Sequence, residues 1–319
     1  MIPFTGKSVL VTGAGGSIGS QLCEQIVRAG ARKLTMLSLT EGALYTVTKA
    51  LGRLKGDTEL VGVLGSAGDT ALLQEALTGL DTVVHAAAHK HLPLCESNPI
   101  AAIDNNALTT HRLMRWCEVA GVKQFCFIST DKAVKPTSVL GMTKRLAEML
   151  VRSSYTSETM FCVVRFGNVL DSAGSVMPLW REQIANGGPV TLTDERCERY
   201  FMSIPEAVSL VMQAMALPEP IGTFVLDMGE PRKLIDIARE LIAESGRAVE
   251  IVCTGLRAGE KLTEELHHGG ELFPSGVPRV FSVDESSPQV DGRKLQNLQA
   301  AVRLRDKDRA LTLLRDLVA

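Results

Sequence analysis

Val9-Leu10-Val11-Thr12-Gly13-Ala14-Gly15-Gly16-Ser17-Ile18-Gly19-Ser20 joins an apolar run to three glycines spaced by three, at 13, 16 and 19. Ile18, Leu22, Ile26 and Val27 then follow at helical spacing, and Gly30 stands where a helix C-cap is expected. A strand must turn tightly here into a helix. Glycine serves that turn because it allows an unusual backbone conformation, lets a pyrophosphate approach the main chain, and brings the helix close onto the sheet. Unpaired N–H groups at the helix start complete an anion site. Three glycines alone are a weak signal, and the strand before them and the helix after them make it specific.

The pattern repeats outward from this stretch. Short apolar runs at 8–12, 34–37, 82–85, 124–128 and 160–165 read as strands, and helix-period segments at 17–29 and 144–152 read as helices. Such alternation predicts an α/β fold, a Rossmann-type doubly wound parallel sheet with a smaller, interleaved C-terminal substrate-binding lobe. After Arg165 the texture changes, with Gly174, Pro178, Gly187, Gly188 and Pro189 in close succession. The chain is expected to return to the sheet through a helix at 204–217 and a strand at 222–226. The dinucleotide domain is therefore drawn as 1–165 plus about 204–228, and the lobe as 166–203 and 229–319.

Composition narrows the function classes. The 319 residues are 45% hydrophobic and 22% charged, an ordinary globular balance. A formal net charge of -2 gives no field for a nucleic-acid partner. Seven cysteines, an odd number without a C-x-x-C pair, suit a reducing compartment. Neither a leader segment at 1–7 nor an apolar run long enough to enter a membrane is read, so the expected location is the cytoplasm. An acidic residue usually closes the second strand of an NAD site, and Ser38 stands there instead, with no arginine beside it for a 2′-phosphate. NAD is the expected cofactor, with NADP left open.

Several later segments together resemble one family. They are Asp81-Thr-Val-Val-His-Ala-Ala-Ala-His-Lys-His-Leu-Pro-Leu-Cys-Glu96, Ile128-Ser-Thr-Asp-Lys-Ala-Val-Lys-Pro-Thr-Ser-Val-Leu-Gly-Met-Thr-Lys-Arg145, Arg165-Phe-Gly-Asn-Val-Leu170, Arg199-Tyr-Phe-Met202, Leu226-Asp-Met-Gly-Glu230 and Leu256-Arg-Ala-Gly-Glu-Lys-Leu262. In this order they resemble the extended short-chain dehydrogenases/reductases, and within them the capsule and O-antigen type UDP-N-acetylglucosamine 4,6-dehydratases, here as the soluble catalytic module. The resemblance runs from about Gly6 to about Leu266.

It implies a UDP-sugar substrate, a closed redox cycle and association into homo-oligomers, for which a face around Leu146 and Leu150 is read as exposed and apolar. It also implies residue roles. Gly13, Gly16, Ser17, Ile18, Gly19, Ser38, Ala86 and Ala87 would surround the dinucleotide, and Lys144 would hold its ribose. Thr130 would bind the sugar C4 hydroxyl, Lys132 would be the base at C5 and Asp131 the acid at the C6 hydroxyl. A lysine is a base only when neutral, which burial and the positive charges of Lys144 and oxidised nicotinamide are expected to favour. Leu140 stands where short-chain dehydrogenases carry a tyrosine, so the C4 proton needs a relay through Thr130 to Asp131 or to water. Lys90 would face the substrate, and Asn168, Arg199, Arg257 and Glu260 would contact its diphosphate or ribose. Ala173 replaces an arginine common among relatives. The histidine pairs His89/His91 and His267/His268 have no carboxylate or thiolate completing a first shell, so no metal is expected. An epimerase or ketoreductase on the same scaffold, or an inactive dinucleotide-binding regulator, stays open at this point.

Overall fold

The computed structural model describes residues 4–153, 158–218, 222–269, 271–285 and 289–319; the first three residues of the stretch read for a leader lie outside these. Nine strands form one sheet: β1 (Ser8–Thr12), β2 (Lys33–Ser38), β3 (Glu59–Leu64), β4 (Thr82–His85), β5 (Gln124–Ile128), β6 (Met160–Arg165), β7 (Gly222–Leu226), β8 (Leu272–Pro274) and β9 (Val280–Val283). Their spatial order is β8-β9-β7-β6-β5-β4-β1-β2-β3. β1 to β7 pair with one another in parallel, whereas β9 is antiparallel to β7 and to β8. Every residue of β1 and β5 is buried, which explains why both read as unbroken apolar runs.

Successive residues of β1 feed opposite layers. Val9 and Val11 pack with Leu22 and Ile26 of helix α1 (Ser17–Arg28), Leu44 and Val47 of α2 (Glu41–Gly52) and Val208 of a helix at Ile204–Met215. Leu10 packs instead with Leu113 and Cys117 of α3 (Thr109–Val119) and with Ala147 of α4 (Val139–Ser153). Edge strand β3 breaks the apolar pattern: Glu59, Gly62 and Leu64 leave it partly solvated, so it carries no buried run.

Two expectations are corrected. Residues 229–319 do not all belong to the lobe, because β8 and β9 extend the large sheet through β7. Likewise α5 (Gly292–Arg303) and α6 (Lys307–Val318) pack on the nucleotide domain. These two helices also cover the face read as exposed. Leu146 and Leu150 are buried among Leu298, Leu314 and Leu317, since an amphipathic pair of helices from the chain end supplies the apolar partner. The lobe itself has a separate core, in which Trp180 and Ile184 meet Leu234, Ile237 and Leu241 beneath the parallel pair Val190–Leu192 and Ile251–Cys253. Six of the seven cysteines are buried, and Cys253 is exposed.

Behind the carboxyl end of the sheet lies a buried ion cluster. Arg165, ending β6, bonds Glu148 of α4 through Nε and Nη2 at 3.1 and 2.8 Å, and Glu285 through Nη1 at 2.8 Å. Arg145 and Arg152 also donate to Glu285, and the Ser129 hydroxyl donates to Glu148 at 2.6 Å. Burial by itself pushes the Glu285 carboxyl up, but bonding to Arg165 reverses this and holds it at about 2. The cluster joins α4, β6 and the segment after β9 directly beneath the loop that starts at Thr130.

Candidate active site

A cleft of about 730 Å³ opens at the carboxyl ends of β1, β4, β5 and β6, where ligands of open α/β sheets bind. Gly13, Gly16, Ser17, Ile18 and Gly19 line one end of it. Gly13 has φ +67°, and a Cβ there would stand 2.7 Å from the Ala87 backbone. A Cβ on Gly19 would lie 2.0 Å from the Gly13 carbonyl oxygen, so helix and turn touch at a distance only glycine permits. Gly16 caps α1 without a side-chain hydrogen bond, which leaves first-turn N–H groups for an anion. This cradle fits the pyrophosphate of a dinucleotide.

A chain of hydrogen bonds fixes the two strands flanking the cradle. The Thr12 hydroxyl accepts from Ala87 N–H and meets His85 Nδ1 at 2.6 Å, and His85 Nε2 meets the Thr110 hydroxyl at 2.9 Å. Burial, helped by the Lys144 charge, lowers His85 to about 3, so the ring stays neutral and works as a fixed link. Ser38 does not line the cleft. It is buried, its hydroxyl accepts Thr40 N–H at 3.2 Å, and it would lie 3.1 Å from a Cβ on Gly15.

At the end of β5 the structure brings Thr130, Asp131 and Lys132 together. The Thr130 hydroxyl donates to Asp131 Oδ1 at 2.8 Å, and Lys132 Nζ donates to the same oxygen at 3.0 Å. Asp131 has no exposed surface, and its Oδ2 is buried with no hydrogen-bond partner. A Cβ on Gly167 would stand 3.1 Å from that oxygen, so glycine there keeps the room around it. Lys132 also donates to Asn168 Oδ1 at 3.2 Å and faces Glu264 Oε1 at 3.7 Å. The expected positive surroundings of Lys132 are thus replaced by two carboxylates, because Lys144 is engaged elsewhere. Lys144 Nζ donates to the Ile128 carbonyl at 2.6 Å and lies 3.8 Å from the centre of the Phe127 ring. Burial lowers Lys144 to about 7, against the pull of Glu148.

The remaining predicted residues divide. Ala86, Lys90, Leu140 and Asn168 line the cleft, and burial lowers the Lys90 ammonium from its ordinary range. Ala87 backs Gly13 instead of lining it. Arg199, Arg257 and Glu260 lie outside the cleft lining. The buried Arg199 guanidinium donates to the carbonyls of Glu198, Lys261 and Leu262, and it pairs with Glu260 at 3.4 Å. Glu260 also accepts from Thr193 and from Arg257 N–H. Arg199 therefore clamps the 260–262 segment. Ala173 N–H donates to the Ser17 hydroxyl at 3.0 Å, tying the lobe's first loop to the glycine cradle.

Two contributors carry no motif signal. Asn106 sits in a wide helical turn at Asp104–Leu108 and bonds both the N–H and the C=O of His89, which fixes the backbone beside Lys90. Glu264 reaches Lys132 from a distant segment, and only the fold shows the meeting.

Fold and site together define an extended short-chain dehydrogenase/reductase of the capsular polysaccharide type. The chain belongs to the family described as "Polysaccharide biosynthesis protein", whose model matches residues 9–282. It is 46% identical over 282 residues to the capsular polysaccharide biosynthesis protein CapD of Staphylococcus aureus, covering 86% of this chain and 47% of that one. Identity to the probable polysaccharide biosynthesis protein EpsC of Bacillus subtilis is 44% over 296 residues, 90% of this chain and 49% of that one. The chain thus spans about half the length of these two relatives. A UDP-glucose 4-epimerase of Rickettsia rickettsii is 31% identical, with 92% of this chain and 85% of that one covered. Among solved structures, Pen from Bacillus thuringiensis superposes with a TM-score of 0.83 at 30% identity, over 91% and 92% of the two chains. DesIV, a dTDP-glucose 4,6-dehydratase from Streptomyces venezuelae solved with NAD, has a TM-score of 0.73 at 20% identity, over 82% and 88%, and shares the fold.

Proposed function

We propose that the chain is an NAD-dependent nucleotide-sugar 4,6-dehydratase acting on UDP-N-acetylglucosamine, and that it yields a UDP-2-acetamido-2,6-dideoxy-4-keto-hexose for surface polysaccharide synthesis. The observation that carries this reading is the buried Asp131 carboxylate, bonded at one oxygen to both the Thr130 hydroxyl and the Lys132 amine beside the glycine cradle. The cleft lining supports it: Lys90, Lys132 and Lys144 reach the cleft while Asp131 stays behind Thr130 and Lys132, so a chain of net charge -2 gathers basic side chains where two diphosphates would lie.

NAD held by the cradle of Gly13, Gly16 and Gly19 would supply a hydride acceptor and donor for the redox cycle. The residues manage the protons. Thr130 already donates to Asp131, so its lone pairs are free to accept from the C4 hydroxyl, and the C4 proton passes through Thr130 to Asp131. This relay answers the absence of a tyrosine at Leu140. Lys132 removes the C5 proton, the proton held on Asp131 passes back through the Thr130 hydroxyl to the departing C6 hydroxyl, and water leaves. Lys132 then returns its proton to C5 as the hydride reaches C6, so both residues finish as they began.

The test is to incubate the protein with UDP-N-acetylglucosamine in deuterated water and examine the product by NMR. A 6-deoxy-4-keto sugar with deuterium at C5 is expected. An epimerase is the second reading, favoured by the Rickettsia relative's name, and it would give a C4 epimer that keeps its C6 hydroxyl.

A further inference from the structure

Residues 257–266 form a seam against the loop that follows β5. Lys261 Nζ donates to the Val134 carbonyl at 2.7 Å, the Thr137 hydroxyl donates to the Gly259 carbonyl at 2.9 Å, and Lys135 pairs with Glu265. A Cβ on Gly259 would stand 2.7 Å from the Ser138 side chain, which shows how closely the two segments meet. Arg199 grips the same segment through the Lys261 and Leu262 carbonyls. The seam delivers one carboxylate to the catalytic centre. Glu264 is 4% exposed, with Oε1 at 3.7 Å from Lys132 Nζ and Oε2 at 3.5 Å from Lys261 Nζ. Oε2 is buried and makes no hydrogen bond. Burying a carboxylate is costly unless its charge is used.

We propose that Glu264 is a positioning residue for dehydration: it holds Lys132 Nζ between Asp131 and Asn168 and takes the proton that Lys132 sheds to become the C5 base. The inference rests on the dehydratase reading. An amine takes a proton from C5 only with its lone pair free, so a Lys132 ammonium donating to Asp131 and Asn168 has to shed one proton first. Asp131 is the wrong acceptor, because it receives the C4 proton in the preceding step. Among the described residues Glu264 is the other carboxylate paired with Lys132, and the transfer balances: an ammonium proton moves to a carboxylate oxygen, giving a neutral amine and a carboxylic acid, and it goes back when the cycle closes. Hydride transfer from C4 does not involve this pair.

The full chain loaded with NAD and UDP-N-acetylglucosamine tests it. Glu264→Gln keeps the shape and removes the charge, so it should reduce the nicotinamide at close to the wild-type rate and then stall. Elimination should slow by roughly a hundredfold, the worth of one general acid–base step. Reduced nicotinamide would then accumulate, and Glu264→Asp should recover part of the loss. A Glu264→Gln variant that eliminates at the wild-type rate, or that loses both steps equally while folded, overturns the proposal. Should Glu264→Gln fail to fold, Glu264→Asp carries the same split between the two steps. One further measurement does not depend on turnover: acetylation of Lys132 by an amine-reactive reagent, read by peptide mass spectrometry, should rise several-fold in Glu264→Gln. Unchanged labelling would overturn the pairing, whereas a wild type that makes no 6-deoxy sugar would overturn only the dehydratase reading.

Discussion

At the scale of single residues, Asp131 Oδ1 is the acceptor that Thr130 and Lys132 share. Thr130, Asp131 and Lys132 are consecutive, so one strand end presents all three, and the glycine cradle is one turn. Lys132→Met should abolish 6-deoxy product while dinucleotide binding, followed by fluorescence titration, stays within about twofold, since the side chain lies outside the cradle. Product at a wild-type rate would remove Lys132 from the mechanism. Thr130→Val breaks the hydrogen bond to Asp131 and should slow nicotinamide reduction on the order of a hundredfold in stopped-flow absorbance. Leu140→Tyr should bring no large gain, and a large one would mean that the relay is idle. What the sequence hid were convergences from far apart. Glu264 and Asn106 act through contacts that no spacing encodes, and Arg199 matched a phosphate-binding position although three carbonyls occupy its guanidinium.

At the scale of elements, the parallel strands were readable wherever both faces are covered, and β3 was missed because an edge strand need not be apolar. The ion cluster around Arg165 was equally illegible, since Arg165, Glu148 and Glu285 lie on three separate segments. It should govern acid stability. The Glu285 carboxyl is held at about 2, below an unfolded value of roughly 4.3. Its contribution is therefore complete above about pH 4.3 and lost as the pH falls towards 2. Arg165→Met would take from the buried Glu148 its two-pronged partner and leave Glu285 to Arg145 and Arg152 alone, and it should lower stability at neutral pH by about 3–5 kcal/mol. Because protonating those carboxylates relieves the variant, the gap between it and wild type should narrow as the pH falls from 5 towards 3 in chemical-denaturation curves. A gap that stays constant across that range would show that the cluster is not electrostatically coupled.

At the scale of the whole molecule, the lobe boundary and the association face were misread for one reason: the last two helices return to the nucleotide domain. Their polar outer faces resemble any surface helix, and only the fold shows that their apolar stripes close over α4. α4 carries Leu140 and Lys144 to the cleft, so α5 and α6 also brace the site from behind. Leu146→Asp separates this arrangement from an association face. On a face between subunits, aspartate would split the assembly and leave each subunit folded. Here Leu146 is fully buried beside Leu298 and Leu314. The new carboxylate would lose a leucine's burial, worth about 1.5–3 kcal/mol. It would also pay a desolvation cost of several kcal/mol more. Together these approach the roughly 5–15 kcal/mol that holds a domain of ordinary stability. Leu146→Asp should therefore unfold the protein or lower its melting temperature sharply, without yielding a folded species of smaller mass. Thermal unfolding together with light scattering on a sizing column distinguishes the two, and a well-folded variant at a fraction of the wild-type mass would return Leu146 to the subunit interface.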